Sequence, residues 1–329
     1  MTLAILIAVF ALAPAALYLA GRSYLYQVAN LIMIFALLSA SMHLVTGVAG
    51  LLQLGHAAFY GVGAYTAALL ATRFGLPFPA TMPLAGLAAA LVAFLVALPT
   101  MRLVSIYFAV ATLGIGQMLY LIMLNWVDVT KGPNGILLFN ALRIFNFDAS
   151  KPAIAYYVVA VVTVVSILVI HRLSHSYYGN ALRALREDDQ CAEAMGVETV
   201  RLKIQSFTIS GFFAGVAGAL WAHTAGYVSP ADFSFTVSIL ILSMVVLGGL
   251  GSLPGAIVGA VILIGLPELL REFKAGDYRN LIIGLVLFSV ILFLPRGLIG
   301  EASALDLMRR QFAGAWRRAP DRRGGMGWR

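Results

Sequence analysis

Residues 48–72 read VAGLLQLGHAAFYGVGAYTAALLAT. This stretch has no Asp, Glu, Lys or Arg, and its polar side chains are mild ones: Gln53, His56, Tyr60, Tyr65 and Thr66. A run of this length without charge reads as a membrane helix, because about 20 apolar residues cross the hydrocarbon layer. The whole chain agrees. Of its 329 residues, 61% are hydrophobic and 11% are charged, against about 25% charged in soluble domains. Mean hydropathy is +0.93. Lipid offers no hydrogen-bond partners, so spans must satisfy their own backbones as helices or closed barrels, and runs of this length fit helices. The chain reads as an all-α polytopic membrane protein.

Working outward, apolar runs fall at 2–20, 25–46, 48–72, 79–100, 104–126, 153–171, 205–226, about 235–250, about 254–271 and 280–296. That predicts about ten transmembrane or partly re-entrant helices in one membrane domain over 1–296. Residues 2–20 lack a basic leader and are followed by many more spans, so they read as a first helix rather than a signal peptide. Residues 127–152 form a polar connection around the turn-rich Lys131-Gly132-Pro133-Asn134-Gly135.

Positive charge sets the expected orientation. Arg102, Arg172, Arg183, Arg186, Arg201, Lys203 and the eight arginines from Arg296 onward fall on one side. Arg22, Arg73, Lys131, Arg143, Lys151, Arg271, Lys274 and Arg279 fall on the other. Lys and Arg collect in the cytoplasm, so both termini are expected inside. The same rule accounts for the net charge of +8 without nucleic acid. Residues 297–329 form a basic cytoplasmic tail. There Leu305, Met308, Phe312 and Trp316 recur at helical spacing, as in a helix lying on the membrane surface.

Several function classes are disfavoured. No Asp, Glu, Lys or Arg falls mid-span, with Glu268 the nearest to an exception, whereas ion-coupled carriers commonly keep such groups. No metalloprotease, serine-hydrolase or phosphate-loop motif is present, which weighs against a membrane-bound enzyme and against ATP binding by this chain. The one cysteine, Cys191, offers neither an internal disulfide nor a multi-cysteine metal site. Expected catalytic and metal residues are therefore none.

Glycine is the commoner signal. Gly47, Gly50, Gly55, Gly61 and Gly63 crowd the third run. Gly248, Gly249, Gly251, Gly255 and Gly259 crowd the junction of the eighth and ninth. Small residues let helices approach closely, and dense glycine permits broken helices lining a cavity. LGHAAFYGVGA (54–64) and LGSLPGAIVGA (250–260) share their ends at equal spacing, which suggests an internal repeat. Gln53, His56, Tyr60 and Tyr65 are the substrate-pathway candidates. Gly55, Gly61, Gly63 and Gly251 are the structural glycines.

One polar segment interrupts the apolar pattern. Residues 177–203 read YYGNALRALREDDQCAEAMGVETVRLK and hold five of the fourteen acidic residues. Leu182, Leu185, Ala192 and Met195 predict one helical stripe. Gly196 predicts a left-handed stop.

At this point the residues resemble a known family. GVAGLLQLGHAAFYGVGAYTAALLA, PTMRLVSIYFAVATLGIGQML, KGPNGI and ALREDDQCAEAMGVETVRLKIQSFTISGFFAGVAGAL are similar to segments of the permease subunits of branched-chain amino-acid ABC importers, the LivM type. The resemblance runs over about 45–295. It implies a bacterial inner-membrane subunit paired with a LivH-like second permease. Two ABC ATPase subunits would use ATP and Mg, which this chain does not bind, and an extracytoplasmic substrate-binding protein would deliver the solute. It also implies that the cytoplasmic segment 172–203 docks on an ATPase through an EAA-type motif at Ala192-Glu193-Ala194-Met195-Gly196. The ATPase-coupling residues are then Arg183, Arg186, Asp188, Glu193, Ala194 and Gly196, with Arg201 and Lys203 where motion enters the seventh span. Here the glycine follows sooner than in the general importer motif, and no Leu-Pro closes it. The implied solutes are Leu, Ile and Val; the alternatives are another small polar solute such as urea or an amide, or an ion-coupled carrier.

Overall fold

A computed structural model describes residues 23–103, 105–138, 143–144, 147–148, 152–271, 284 and 298. The expected first helix at 2–20 lies outside these residues. So do the basic tail and, but for single positions, the run at 280–296.

Helix α1, Ser23–Met42, continues into a π-helical turn, His43–Val48. The widened turn fits its sequence. The His43 ring lies against Gly47, where a Cβ would come within 2.7 Å of His43 Cε1. Residues 49–55 are then non-helical, with Gly50 at φ +73°. Helix α2 runs from His56 to Phe74 and stops at Gly75, in the left-handed conformation at φ +63°. The expected single span at 48–72 is therefore corrected: its first third is coil. Composition reports that a segment is buried, not which partner each backbone group takes. Here Leu54 N donates to Thr112 Oγ1 at 3.2 Å, a neighbour 58 residues away, so the segment holds no helix of its own there.

Helices α3, Phe78–Thr100, and α4, Ser105–Asn125, match their predicted spans. The polar connection that follows is more ordered than its turn signals suggest. It holds a short helix α5, Val127–Thr130, a 3₁₀ turn at Gly132–Asn134, and strands β1, Ile136–Leu137, β2, Arg143–Ile144, and β3, Phe147–Asp148. β2 pairs with β3, and β1 pairs antiparallel with β4, Tyr227–Val228.

Helix α6, Pro152–Ser174, leads to the polar segment. That segment is two helices rather than one: α7, Tyr177–Glu187, and α8, Asp189–Ala194. The break lies at Asp188, whose extended backbone lets its carboxylate cap α8. Asp188 Oδ1 accepts from Gln190 N at 2.9 Å and Cys191 N at 3.0 Å. Leu182, Leu185 and Ala192 are buried as predicted, but Met195 is 85% exposed. Met195 lies past the last residue of α8, at its C-cap. Gly196 does take the left-handed conformation, at φ +86°.

Helix α9, Thr199–Ala225, starts earlier than the predicted seventh span and is the central element. Its 27 residues reach about 40 Å, enough to cross a bilayer. Against one side lies the α3 stripe Ala85, Ala89, Ala93 and Ala97, all 0% exposed; its Ala89 and Ala93 meet Gly211 and Gly215. On another side Gly63 of α2 meets Gly215, and Gly218 meets the Tyr60 carbonyl. These are backbone-to-backbone approaches that only glycine permits, and in lipid such close packing takes the place of a hydrophobic driving force. The outer faces of α3, α4 and α6 carry exposed apolar side chains such as Leu91, Ile106 and Val161, as surfaces against lipid do.

A 3₁₀ turn at Pro230–Phe233 precedes α10, Phe235–Gly248, and α11, Leu253–Arg271, follows. α10 has 14 residues, about 21 Å of helix, which falls short of the roughly 30 Å apolar layer. The eighth predicted span is thus a helix about two-thirds as long as the apolar layer is thick. Among the described residues, five helices are long and apolar enough to cross a membrane: Tyr24–Val48, Phe78–Thr100, Ile106–Asn125, Pro152–Ser174 and Thr199–Ala225. α10 and α11 form a tight hairpin in which Gly248 meets Gly255 and Gly259 meets the Met244 carbonyl. The similar sequences at 54–64 and 250–260 both run from a non-helical glycine into a 19-residue helix.

Candidate functional site

Two interrupted segments meet inside the helical domain. The first is the coil 49–55 leading into α2. The second is the 3₁₀ turn 230–233 leading into α10. Their first helical turns touch: Ala57 N donates to Ser238 Oγ at 3.0 Å. The second interruption reaches deep along α2. The Phe233 ring stacks edge-on against Tyr60, with centroids 4.9 Å apart, and Tyr65, at 5.9 Å. Tyr60 lies 14 residues before Phe74, so this contact is about 21 Å from that end of the helix. Gly61 leaves room for it, since a Cβ there would come within 2.8 Å of Phe233 Cγ. Coil at such depth is tolerated only where protein or a cavity surrounds it.

His56 opens α2 and is 0% exposed. Its Nε2 lies 2.9 Å from Ser41 Oγ of α1, and the Ser41 hydroxyl donates to Leu38 O at 2.8 Å. A hydroxyl has one hydrogen. With that hydrogen given to Leu38, His56 is the donor at Nε2 and its Nδ1 is a bare acceptor. Ser210 Oγ of α9 donates to the Ser41 carbonyl at 2.7 Å, and Ser39 Oγ to Ala256 O of α11 at 2.7 Å. Hydroxyls from α1 and α10 thus meet the first turn of α2, and α9 ties to α1 beside it. Gly55 allows α4 close to the same point, against the Thr112 carbonyl and Gly116.

Of the pathway candidates, Gln53, His56, Tyr60 and Tyr65 are all buried, between 0 and 4% exposed. Among the described residues, Gln53 Oε1, His56 Nδ1 and Tyr65 OH have no hydrogen-bond partner. Buried polar atoms are nearly always paired. All three lie along the segment that runs from the coil 49–55 into α2. Gly55, Gly61 and Gly63 belong to this assembly. Gly251 does not; it makes the α10–α11 turn at φ +101°. Ser41, Ser210, Phe233 and Ser238 complete the site and were not among the sequence candidates. A lone serine or phenylalanine in an apolar run carries no local signal of its partner.

The polar segment forms a second centre. Glu193, Ala194, Met195 and Gly196 are exposed together. They flank an open depression of about 700 Å³ lined by Phe94, Glu193, Gly196, Glu198, Arg201 and Ile204. Hydrogen bonds from the Cys191 and Gln190 N–H groups hold the Asp188 carboxyl below its ordinary value. The same carboxylate, facing the Cys191 thiol, pushes that thiol above its ordinary value. Lys203 of α9 forms an ion pair with Asp189 of α8, and Arg201 pairs with Glu198 at 3.2 Å. Arg183 Nη1 donates to Asn180 at 2.9 Å. Arg186 points elsewhere, into the membrane domain, where it donates to Gly47 O at 2.6 Å.

The family model for the branched-chain amino acid transport system permease component matches residues 24–291. The chain belongs to this permease family. Its similarity to the permease protein LivM of Escherichia coli (strain K12) is 37% identity over 317 residues, covering 89% of this chain and 74% of that protein. LivM of Salmonella typhimurium is 38% identical over 296 residues, covering 83% and 69%. The permease protein LivH of Escherichia coli (strain K12) is 27% identical over 290 residues, covering 81% and 91%. No solved structure matches. The match to this permease family spans both centres, the interrupted helices and the polar segment alike.

Proposed function

We propose that this chain is one of two membrane subunits of an ATP-driven importer that moves Leu, Ile and Val inward across a bacterial inner membrane. The solute is delivered by an extracytoplasmic binding protein. A LivH-like chain is the second permease, and two cytoplasmic ATPase subunits, using ATP and Mg, drive the cycle. Both termini of this chain lie in the cytoplasm, and the segment 172–203 meets an ATPase there. Glu193, Ala194 and Gly196 offer the contact, and Asp188 holds their helix in place. Solute passes by Gln53, His56, Tyr60 and Tyr65.

The observation that carries this reading is the meeting of two interrupted helices at Ala57 and Ser238. Helix N-termini present positive dipole ends, as discontinuous transporter helices do toward the carboxylate of an amino acid. The neighbouring groups His56, Gln53 and Tyr65 are uncharged hydrogen-bonding partners, suited to a solute that must leave again.

The decisive experiment is uptake of labelled leucine into liposomes holding this chain, the second permease and both ATPases, with binding protein supplied. ATP-dependent accumulation is expected. Uptake by this chain alone on an ion gradient would sink the reading, and ATP-dependent uptake of urea or an amide in place of leucine would replace its solute.

A further inference from the structure

Arg186 lies in the last turn of α7, on the segment that meets the ATPase in the reading above, yet its side chain turns the other way. Its guanidinium Nη1 reaches the Gly47 carbonyl at 2.6 Å, across 139 positions of sequence. Gly47 belongs to the π turn that ends α1. Carbonyls at a helix C-terminus have no intrahelical donor, and a cation there also meets the negative end of the helix dipole. Three residues on, Gly50 stands at φ +73°. A Cβ at Gly50 would come within 2.7 Å of Arg186 Cγ, so the arginine stem lies flat on the backbone where the chain leaves α1. From that point only residues 51–55 separate Arg186 from His56 and the meeting point.

The rest of α7 makes this contact stiff. Leu182 and Leu185 bury the same helix against the membrane domain. Asp188 joins α7 to α8 through a cap instead of a loose loop. The other tie, Lys203 to Asp189, links α8 to α9 and is half-exposed on the acidic side. Exposed pairs of this kind hold weakly.

We propose that Arg186 is a positioning residue that latches the coupling segment to the 49–55 break. A displacement of α7 and α8 then moves the start of α2 directly and opens or closes the Ala57–Ser238 contact. Arg186 faces the membrane domain in this role and does not bind the ATPase. The proposal rests on the importer reading above.

The test compares Arg186→Gln and Arg186→Lys with wild type in the full reconstituted complex, measuring leucine uptake and ATP hydrolysis together. For Arg186→Gln the leucine moved per ATP should fall about tenfold, the scale of losing one charge-assisted hydrogen bond, while hydrolysis stays within about twofold. Arg186→Lys, which keeps the charge, should recover part of the ratio. Equal losses of hydrolysis and uptake, or an unchanged ratio, overturn the latch. A second measurement needs no solute. With Cys191→Ser and Ala49→Cys, the buried position 49 (1% exposed) should react with a water-soluble maleimide about tenfold faster when Arg186→Gln is added. Equal rates overturn the latch whatever the solute proves to be. A wild-type complex that takes up no leucine, with faster labelling of the variant, would remove the importer reading and leave the latch standing.

Discussion

The backbone N–H of Ala57 and the hydroxyl of Ser238 are 3.0 Å apart, although 181 residues separate them in the chain. The bond joins the first turn of α2 to the first turn of α10 and closes the point where two interrupted segments meet. Ser238→Ala leaves the Ala57 N–H buried without its partner. The expected loss of stability is about 1–3 kcal/mol, read as a lower unfolding temperature of the detergent-solubilised protein. Ser238→Thr keeps the hydroxyl and should lose less.

Gly63 and Gly215 bring the backbones of α2 and α9 together with no space for a Cβ. Backbone, unlike a flexible side chain, gives way only by separating the helices. Gly63→Ala should therefore destabilise by about 1–3 kcal/mol. Gly114 on α4 has nothing within 4 Å of the same position. Gly114→Ala should be neutral or stabilise by up to about 1 kcal/mol. Thermal unfolding of the two variants side by side separates close packing from glycine content as the cause.

Asp188 carries the pH dependence of the coupling segment. Its folded pKa lies below the ordinary 3.8 because Cys191 and Gln190 N–H groups bind the ionised form. The cap is therefore complete above the ordinary value and is lost as pH falls through the depressed one. Amide exchange at Gln190 and Cys191 should show protection unchanged from neutrality to about pH 5 and declining only in stronger acid.

The same carboxylate slows the Cys191 thiol. Cys191 is exposed, but Asp188 raises its pKa above the ordinary 9.0, so less thiolate is present at pH 8 than in a free cysteine. Alkylation at pH 8 should be slower than that of a model thiol and should quicken in Asp188→Asn. An equal rate in both proteins would show that the carboxylate does not govern the thiol.

Gly196 has open space around it and φ +86°, so a side chain there strains the backbone and meets no clash. Gly196→Val should distort the end of α8 at about 1–2 kcal/mol and weaken ATPase co-purification and uptake together. Glu193→Lys should do the same through charge. Unchanged assembly and uptake in both variants would count decisively against docking at this segment.

Much of this protein is legible in its sequence. Charge-free runs of about 20 residues fix the membrane helices, because lipid accepts nothing else. Gly196 announces the end of α8, since a left-handed residue tolerates little but glycine. The mixed charge of 177–203 marks a segment outside the lipid, and Gly63, Gly215 and Gly218 mark close packing. What the tertiary structure alone decided is where backbone and hydroxyl partners lie. Residues 49–55 are as apolar as a helix, yet they are coil because Thr112 and Ser238 take up N–H groups around the start of α2. One charged stripe became two helices because Asp188 caps its own neighbours. Arg186, indistinguishable in sequence from Arg183, turned inward to Gly47. Hydropathy records only whether a group prefers lipid or water. The partner that satisfies it is set by contacts 58, 139 and 181 residues away, which no local pattern encodes.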